Sequence, residues 1–140
     1  PNEIGRGIEM GIFWKLTLKW SVTVLLFGVA VSLASARFEF PIENAIVGSV
    51  VIYCVMGFWS YHQVGYLSTL GVALFVQLVD STFGWFRSFR VFDEKITDAE
   101  ITPPVFLLML PLTLFFAAAC ATAGAVIARK SKGKRILPQE

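Results

Sequence analysis

One acidic residue lies inside a long apolar part of the sequence and has the strongest claim to chemistry. Asp80 comes directly after residues 44–79, which contain no Asp, Glu, Lys or Arg. Gln77 lies three residues before Asp80 and Ser81 follows it, so a helix can bring the three into one polar stripe. A carboxylate near the centre of a bilayer costs about 2.5–3.5 kcal/mol on insertion scales and is by default a candidate functional residue. We therefore take Asp80, Gln77 and Ser81 as the candidate intramembrane polar site.

Two interpretations of Asp80 stay open at this point. In one, Asp80 from several copies of the chain lines a shared path and binds a proton or a cation. In the other, Asp80 is structural, and it hydrogen-bonds to another helix or pairs with Arg37 or Arg87 near the membrane surface. The structural interpretation is favoured, because proton relays commonly use a series of ionisable groups and this segment offers a single carboxylate.

The other residues that often take part in chemistry are isolated in the sequence. His62 is the sole histidine, and no cluster of Cys, His, Asp or Glu with metal-ligand spacing accompanies it. A cofactor or pigment held through His62 is the weakest alternative, and the cofactor itself is unknown. Cys54 and Cys120 lack C-x-x-C spacing, so we interpret them as small packing residues without a disulfide. The chain has no G-x-S-x-G, Walker A or H-E-x-x-H motif, and we expect no enzymatic activity.

The amino-acid composition is that of a membrane protein. Of the 140 residues, 56% are hydrophobic and 16% are charged, against about 25% charged residues in an ordinary soluble domain. Three segments contain no charged residue at all: 20–36, 44–79 and 101–128. A hydrocarbon layer of about 30 Å needs about 20 apolar residues in each spanning helix. We therefore expect a single integral membrane domain over residues 1–140.

We predict an all-α membrane protein in which four transmembrane helices form an antiparallel bundle. The segment 44–79 is too long for one crossing, and a turn at residues 61–65, Tyr-His-Gln-Val-Gly, divides it. The third helix then reaches membrane length only by continuing through Asp80. The fourth begins at the prolines that follow Thr102, and Pro111 should kink it. The predicted spans are residues 14–36, 43–61, 66–86 and 103–128.

The first predicted span begins with an aromatic and basic collar. Trp14, Lys15, Lys19 and Trp20 stand at its start, and residues of these types are enriched where a helix meets the headgroup region. A second interpretation stays open, because the basic stretch, the apolar residues 22–33 and the Ala-Ser-Ala sequence at 34–36 also imitate a secretory signal.

Basic residues favour a cytoplasmic location for both termini. Four crossings put the termini on one side, and the flanking segments there contain eight basic residues: Arg6, Lys15, Lys19, Arg129, Lys130, Lys132, Lys134 and Arg135. The opposite loops contain four: Arg37, Arg87, Arg90 and Lys95. The side richer in Lys and Arg is normally cytoplasmic. We expect a multi-pass protein of a bacterial-type inner membrane or of an energy-transducing membrane.

Small residues recur every four positions on two of the predicted helices. The first helix carries Gly28, Ser32 and Ala36, and the fourth carries Ala117, Ala121 and Ala125. Such spacing lets helix backbones approach closely, which membrane helices need because burying apolar surface gains them little. These residues are the candidate packing interface. They either join helices of the same bundle, which is the simpler interpretation, or contact another subunit.

The tail predicts contact with lipid headgroups. Five basic residues fall within seven positions: Arg129, Lys130, Lys132, Lys134 and Arg135. Beside a cytoplasmic membrane face, each is worth about 1 kcal/mol of attraction to anionic lipid. Nucleic-acid binding is not expected, because the net charge is only +2 and one short basic run gives no extended electrostatic surface.

The sequence therefore favours a non-catalytic membrane subunit with an accessory or stabilising role in a larger protein complex. Its expected partners are membrane lipids and either other integral membrane subunits or further copies of itself. The principal alternative is a small oligomeric transporter or channel that is coupled to protons or cations through Asp80.

Overall fold

A computed structural model of the chain describes residues 2–38, 42–91 and 103–134, and all of them are helical apart from one glycine. The side chains are described for residues 9–34, 37–38, 44–84 and 104–131. Helix α1 covers Asn2–Phe38, α2 covers Ile42–Val91 and α3 covers Pro103–Lys134. The predicted all-α class is confirmed over these residues.

Each of the three helices contains a segment that is long and apolar enough to cross a membrane. These segments are Glu9–Ala34, Asn44–Gly84 and Pro104–Ser131. They include most of the charge-free stretches of the sequence. About 20 apolar residues are the length that a helix needs to cross the hydrocarbon layer. The helices are therefore compatible with a multi-pass membrane protein.

The helices extend beyond the predicted spans at several ends. Helix α1 begins at Asn2 and not near Trp14, and α3 ends at Lys134 and not near Ala128. Apolar runs mark the part of a helix that avoids water, whereas backbone hydrogen bonding continues into polar residues with good helix propensity. Hydropathy therefore predicts where a helix can lie in lipid better than where it begins and ends.

Helix α2 is interrupted at Gly65. Its backbone angles are φ 77° and ψ 179°, a combination that essentially only glycine adopts. The predicted turn covered residues 61–65, but residues 61–64 remain helical. The interruption is thus narrower than predicted, and it divides α2 into a first arm, 42–64, and a second arm, 66–91. In the first turn of the second arm, Thr69 Oγ1 donates a 2.7 Å hydrogen bond to the Gly65 carbonyl.

The two arms of α2 fold back on each other at Gly65. A straight helix would place Tyr53 and Asp80 about 40 Å apart, yet the Tyr53 hydroxyl lies within electrostatic range of the Asp80 carboxyl group. Contacts with α3 agree with this geometry. Gly57 packs against Ala121, and the Tyr66 hydroxyl lies 3.3 Å from Oγ1 of the adjacent Thr122.

Helix α2 lies between the other two helices. Both α1 and α3 pack against α2, and over the three described ranges α1 and α3 do not contact each other. Ring contacts tie α1 to the second arm, where Trp14 meets Phe75 edge-on at 5.5 Å. Farther along α1, the Phe27 ring lies beside Gly48 of the first arm.

Burial is confined to one part of α1, one part of each arm of α2 and one part of α3. All the buried side chains in the described ranges fall in four segments, which we call the packed segments: 16–24, 53–60, 69–77 and 117–128. The remaining lengths are half-buried or exposed, and we call the following four the open segments: 25–34, 44–52, 78–84 and 104–116. The packed segments of α2 lie on either side of Gly65, so its arms pack tightly near the fold-back point and loosely farther away.

Candidate functional site

The predicted polar site lies on the second arm of α2, where the packed segment ends. Gln77 is 8% exposed, and its Nε2 donates a 2.9 Å hydrogen bond to Ser81 Oγ one turn later. Asp80 and Ser81 are half-buried. The helix therefore brings Gln77 and Ser81 into hydrogen-bonding contact, with Gln77 buried and Asp80 next to Ser81 in the chain.

A fourth residue, Tyr53, joins this site from the first arm. Its side chain is 2% exposed, and its hydroxyl is near the Asp80 carboxyl group. The hydroxyl has no hydrogen-bond partner among the described residues, although buried polar groups normally have one. The fold-back at Gly65 thus brings a phenol with an unused donor into electrostatic range of the Asp80 carboxyl group.

The chemistry available to these four groups is hydrogen bonding and binding of a proton or a small cation. A carboxylate, a phenol, an amide and a hydroxyl supply oxygen atoms, which hard cations prefer. Over the described ranges, no group of three or more His, Cys, Asp or Glu side chains is close enough to hold a metal ion.

His62 and the two cysteines are not part of this site. His62 is exposed near the fold-back point, with its ring 5.1 Å from Phe58 and 6.1 Å from Tyr61. Cys54 and Cys120 are free thiols that approach each other within hydrogen-bonding reach where α2 meets α3.

The small-residue stripe of α3 lies inside the chain's own α2–α3 contact. Ala117, Ala121 and Ala125 are at most 1% exposed. A Cβ atom at Gly124 would lie 2.8 Å from the Phe58 backbone nitrogen, and one at Gly57 would lie 2.7 Å from Ala121 Cα. The two backbones therefore approach so closely that neither glycine has room for a side chain.

The stripe of α1 is less enclosed. Gly28 and Ser32 are half-buried, and the Ser32 hydroxyl donates to the Gly28 carbonyl at 2.9 Å. That bond keeps the hydroxyl within its own helix. The side chain of Ala36 lies outside the described residues.

The basic tail is described in part. Arg129 and Lys130 are exposed at the end of α3. Lys132 and Lys134 belong to the same helix, but their side chains lie outside the described part of the structure, and so does the whole of Arg135.

An apolar groove runs along the second arm of α2. It has a volume of about 380 Å³, and its lining residues are spaced one helical turn apart: Phe75, Leu78, Val79, Thr82 and Phe83. The one polar group among these side chains is the Thr82 hydroxyl, which donates to the Leu78 carbonyl at 2.7 Å. The groove is therefore an apolar surface with no side-chain hydrogen-bonding capacity directed outward.

Sequence reasoning missed Tyr53 and Gly57. The signal for Tyr53 was present, since a phenol in a charge-free membrane segment is itself a costly polar group. Its neighbour Asp80, however, lies on the other side of the fold-back. Gly57 was overlooked because it belongs to no four-residue stripe of small residues, and its tight contact depends on which face of α3 lies opposite.

The chain was also compared with known proteins. No family model, no curated protein and no solved structure matches it.

Proposed function

We propose that this chain is a non-catalytic integral membrane subunit that packs within a larger membrane protein assembly, in an accessory or stabilising role. The observation that carries the proposal is the lack of buried side chains in two of the open segments. No side chain in 78–84 or 104–116 is buried, although α1 and α3 each contact both arms of α2. The large apolar side chains of these segments are therefore available to other membrane proteins.

The apolar groove on the second arm is the face that best suits a partner. Its residues follow the i, i+3, i+4, i+7, i+8 repeat that forms one continuous helix face, and Phe75 and Phe83 stand at its two ends. A helix from another subunit fits such a face by laying its side chains between these rings. The proposed partner is therefore a transmembrane helix.

The first half of α3 offers additional support. Pro111 is exposed and cannot donate a hydrogen bond to the Leu107 carbonyl. In lipid, a carbonyl released in this way is normally satisfied by a neighbouring helix, a side chain or water. Leu107 is 66% exposed, so a neighbouring subunit is a suitable source of the missing donor.

The test is to purify the protein in mild detergent and to determine the mass of the particle. We expect a complex of fixed stoichiometry, and we expect Leu78→Trp, which fills the groove, to release the partner. The matched control is Val22→Trp, an exposed position on α1, which should retain it. A lone monomer, or a complex that is indifferent to both substitutions, would count against the proposal.

The proposal includes four membrane crossings with both termini in the cytoplasm. Each arm of α2 is long enough, at 1.5 Å per residue, for a hydrocarbon layer of about 30 Å, and the fold-back at Gly65 supports one crossing per arm. Single cysteines in a background that lacks Cys54 and Cys120 provide the test. We expect Gln63→Cys and Arg129→Cys to react with an impermeant maleimide from one side, and Phe38→Cys from the other.

A second candidate function is a small oligomeric transporter or channel for protons or cations. The observation that favours it is the proximity of the Tyr53 hydroxyl to Asp80, beside the Gln77–Ser81 hydrogen bond. Asp80→Asn should then abolish proton or cation flux in liposomes while the oligomer stays assembled. Leu108→Asn, an exposed site on α3, should leave the flux intact. Unchanged flux in Asp80→Asn would remove this candidate.

A further inference from the structure

The surface between α1 and the first arm of α2 combines basic and aromatic side chains. Lys19 of α1 holds its Nζ atom 5.5 Å from the ring centroid of Trp59 and 5.7 Å from that of Trp20. Lys15 lies one turn earlier on the same exposed face of α1. Neither lysine forms an ion pair with another residue in the described part of the chain.

Apolar side chains continue this surface along both helices. On α1, Val22 and Leu26 lie one and two turns after Lys19 on the same face, and both are exposed. On the first arm, Val55 and Val51 lie one and two turns before Trp59 and are also exposed. The Lys19–Trp59 contact joins the two rows, so we call this surface the α1–α2 groove.

We propose that the α1–α2 groove binds one anionic phospholipid. Its phosphate would lie between the ammonium groups of Lys15 and Lys19, and one acyl chain would follow the apolar rows toward Leu26 and Val51. Charge complementarity supports this occupant, because two lysines that pair with no carboxylate of the described residues attract the phosphate of an anionic headgroup. The Trp59 indole also suits the boundary between headgroups and acyl chains.

The direction of the lysine side chains fits the same occupant. Both lysines precede Val22 and Leu26 along α1, and long side chains on a helix lean back toward its N-terminus. Lysine stems lie along apolar surface in this way while the charge reaches the headgroup region. Along α1 the lysines come first and the apolar side chains follow, and a phospholipid has its phosphate and its acyl chain in the same order. A transmembrane helix of a partner would leave both lysine charges without counterions.

Native mass spectrometry of the detergent-solubilised protein tests the proposal directly. Phosphatidylglycerol and phosphatidylcholine are added in equal amounts, and bound lipid is counted for each. We expect the wild type to prefer phosphatidylglycerol, and we expect the preference to fall about fivefold for each lysine replaced in Lys15→Gln/Lys19→Gln. The matched control is Arg37→Gln, which removes an exposed charge at the opposite end of α1 and should keep the preference.

A second variant separates the groove from simple charge attraction. Val55→Trp fills the apolar row without changing the charge, and it should reduce the binding of both lipids. Thermal unfolding of each variant verifies that the fold is retained. Three results would each overturn the proposal. The wild type could bind the two lipids equally, or equimolar inorganic phosphate could displace phosphatidylglycerol. The groove could also prove to be a dimer interface that Val55→Trp abolishes.

Discussion

The two halves of α3 differ more in residue size than in polarity. The first half, 104–116, is an open segment with large apolar side chains, among which Leu108 is 78% and Phe115 74% exposed. The second half, 117–128, is a packed segment built mostly from Ala and Gly, and Ala117 and Ala121 are fully buried. Both halves belong to the most apolar of the three membrane-length spans, yet every buried side chain of that span lies in 117–128.

This difference shows that apolarity does not decide burial in this molecule. In water, the most apolar segment would be the most enclosed. In lipid, an exposed leucine loses little, so helices associate where small residues let their backbones and side chains interlock. The packed segments should therefore respond strongly to changes in volume, and the open segments weakly.

The largest effect is expected from adding a side chain to the packed half of α3. Gly124→Leu places atoms where the Cys54 and Phe58 backbones already lie. Because two backbone segments would have to move, we expect a loss above the usual range of core overpacking, about 5 kcal/mol or more. Gly84→Leu makes the same change at a position where, among the described residues, no atom beyond its own helix backbone and chain neighbours lies within 4 Å of a new Cβ. Unfolding measurements in mixed micelles should show a loss of stability for Gly124→Leu and none for Gly84→Leu. Equal losses in the two variants would contradict the distinction between packed and open segments.

Removing a buried side chain should have the next largest effect. Met56 is fully buried, and truncation of such a residue to alanine costs about 2–5 kcal/mol because a cavity remains. Leu108→Ala, in an open segment, should change the free energy of unfolding by less than about 0.5 kcal/mol. Thermal unfolding in the same detergent compares the two, and a larger loss at Leu108 would contradict the assignment of packed and open segments.

The fold-back point should show an intermediate effect. Gly65→Ala forces a Cβ atom into a backbone conformation that is strained for other residues by about 1–3 kcal/mol. No neighbouring atom lies within 4 Å of that Cβ, so the loss would come from the backbone alone. Gly11→Ala, in a helical and equally uncrowded position, is the control. A Gly65→Ala variant as stable as the wild type would argue against the backbone geometry at this residue.

The smallest effect is expected from the hydrogen bond between the second arm and α3. The 3.3 Å contact between Tyr66 and Thr122 is exposed, and hydrogen bonds between membrane helices average about 0.6 kcal/mol in double-mutant cycles. The cycle of Tyr66→Phe and Thr122→Val should give a coupling energy of that size. A coupling energy of zero would mean that this contact does not stabilise the fold-back.

The sequence predicted the helical class and the region of the α2 interruption because both follow from local residue types. Charge-free runs indicate membrane length, and Gly65 is the residue that permits the break. It also predicted Asp80, Gln77 and Ser81 as one group, since their spacing is local to a single helix turn.

The remaining features depend on contacts between distant residues. Tyr53 comes within electrostatic range of Asp80 only because the arms fold back at Gly65. Gly57 contacts Ala121 only because of how α2 and α3 are rotated against each other. The sequence also left open what the stripe of Ala117, Ala121 and Ala125 contacts. The same four-residue spacing is used for packing within one chain and for contact with another subunit.

The fold-back at Gly65 has a consequence for biogenesis. Residues 44–79 contain no Lys or Arg, so the tip of the α2 hairpin lacks the positive charges that retain a loop on one side during insertion. With the proposed crossing of each arm, the orientation of both arms would follow from the basic residues beside α1 and α3. Introducing arginines next to Gly65 would give the hairpin an orientation signal of its own, and the two arms would enter the bilayer together as a unit.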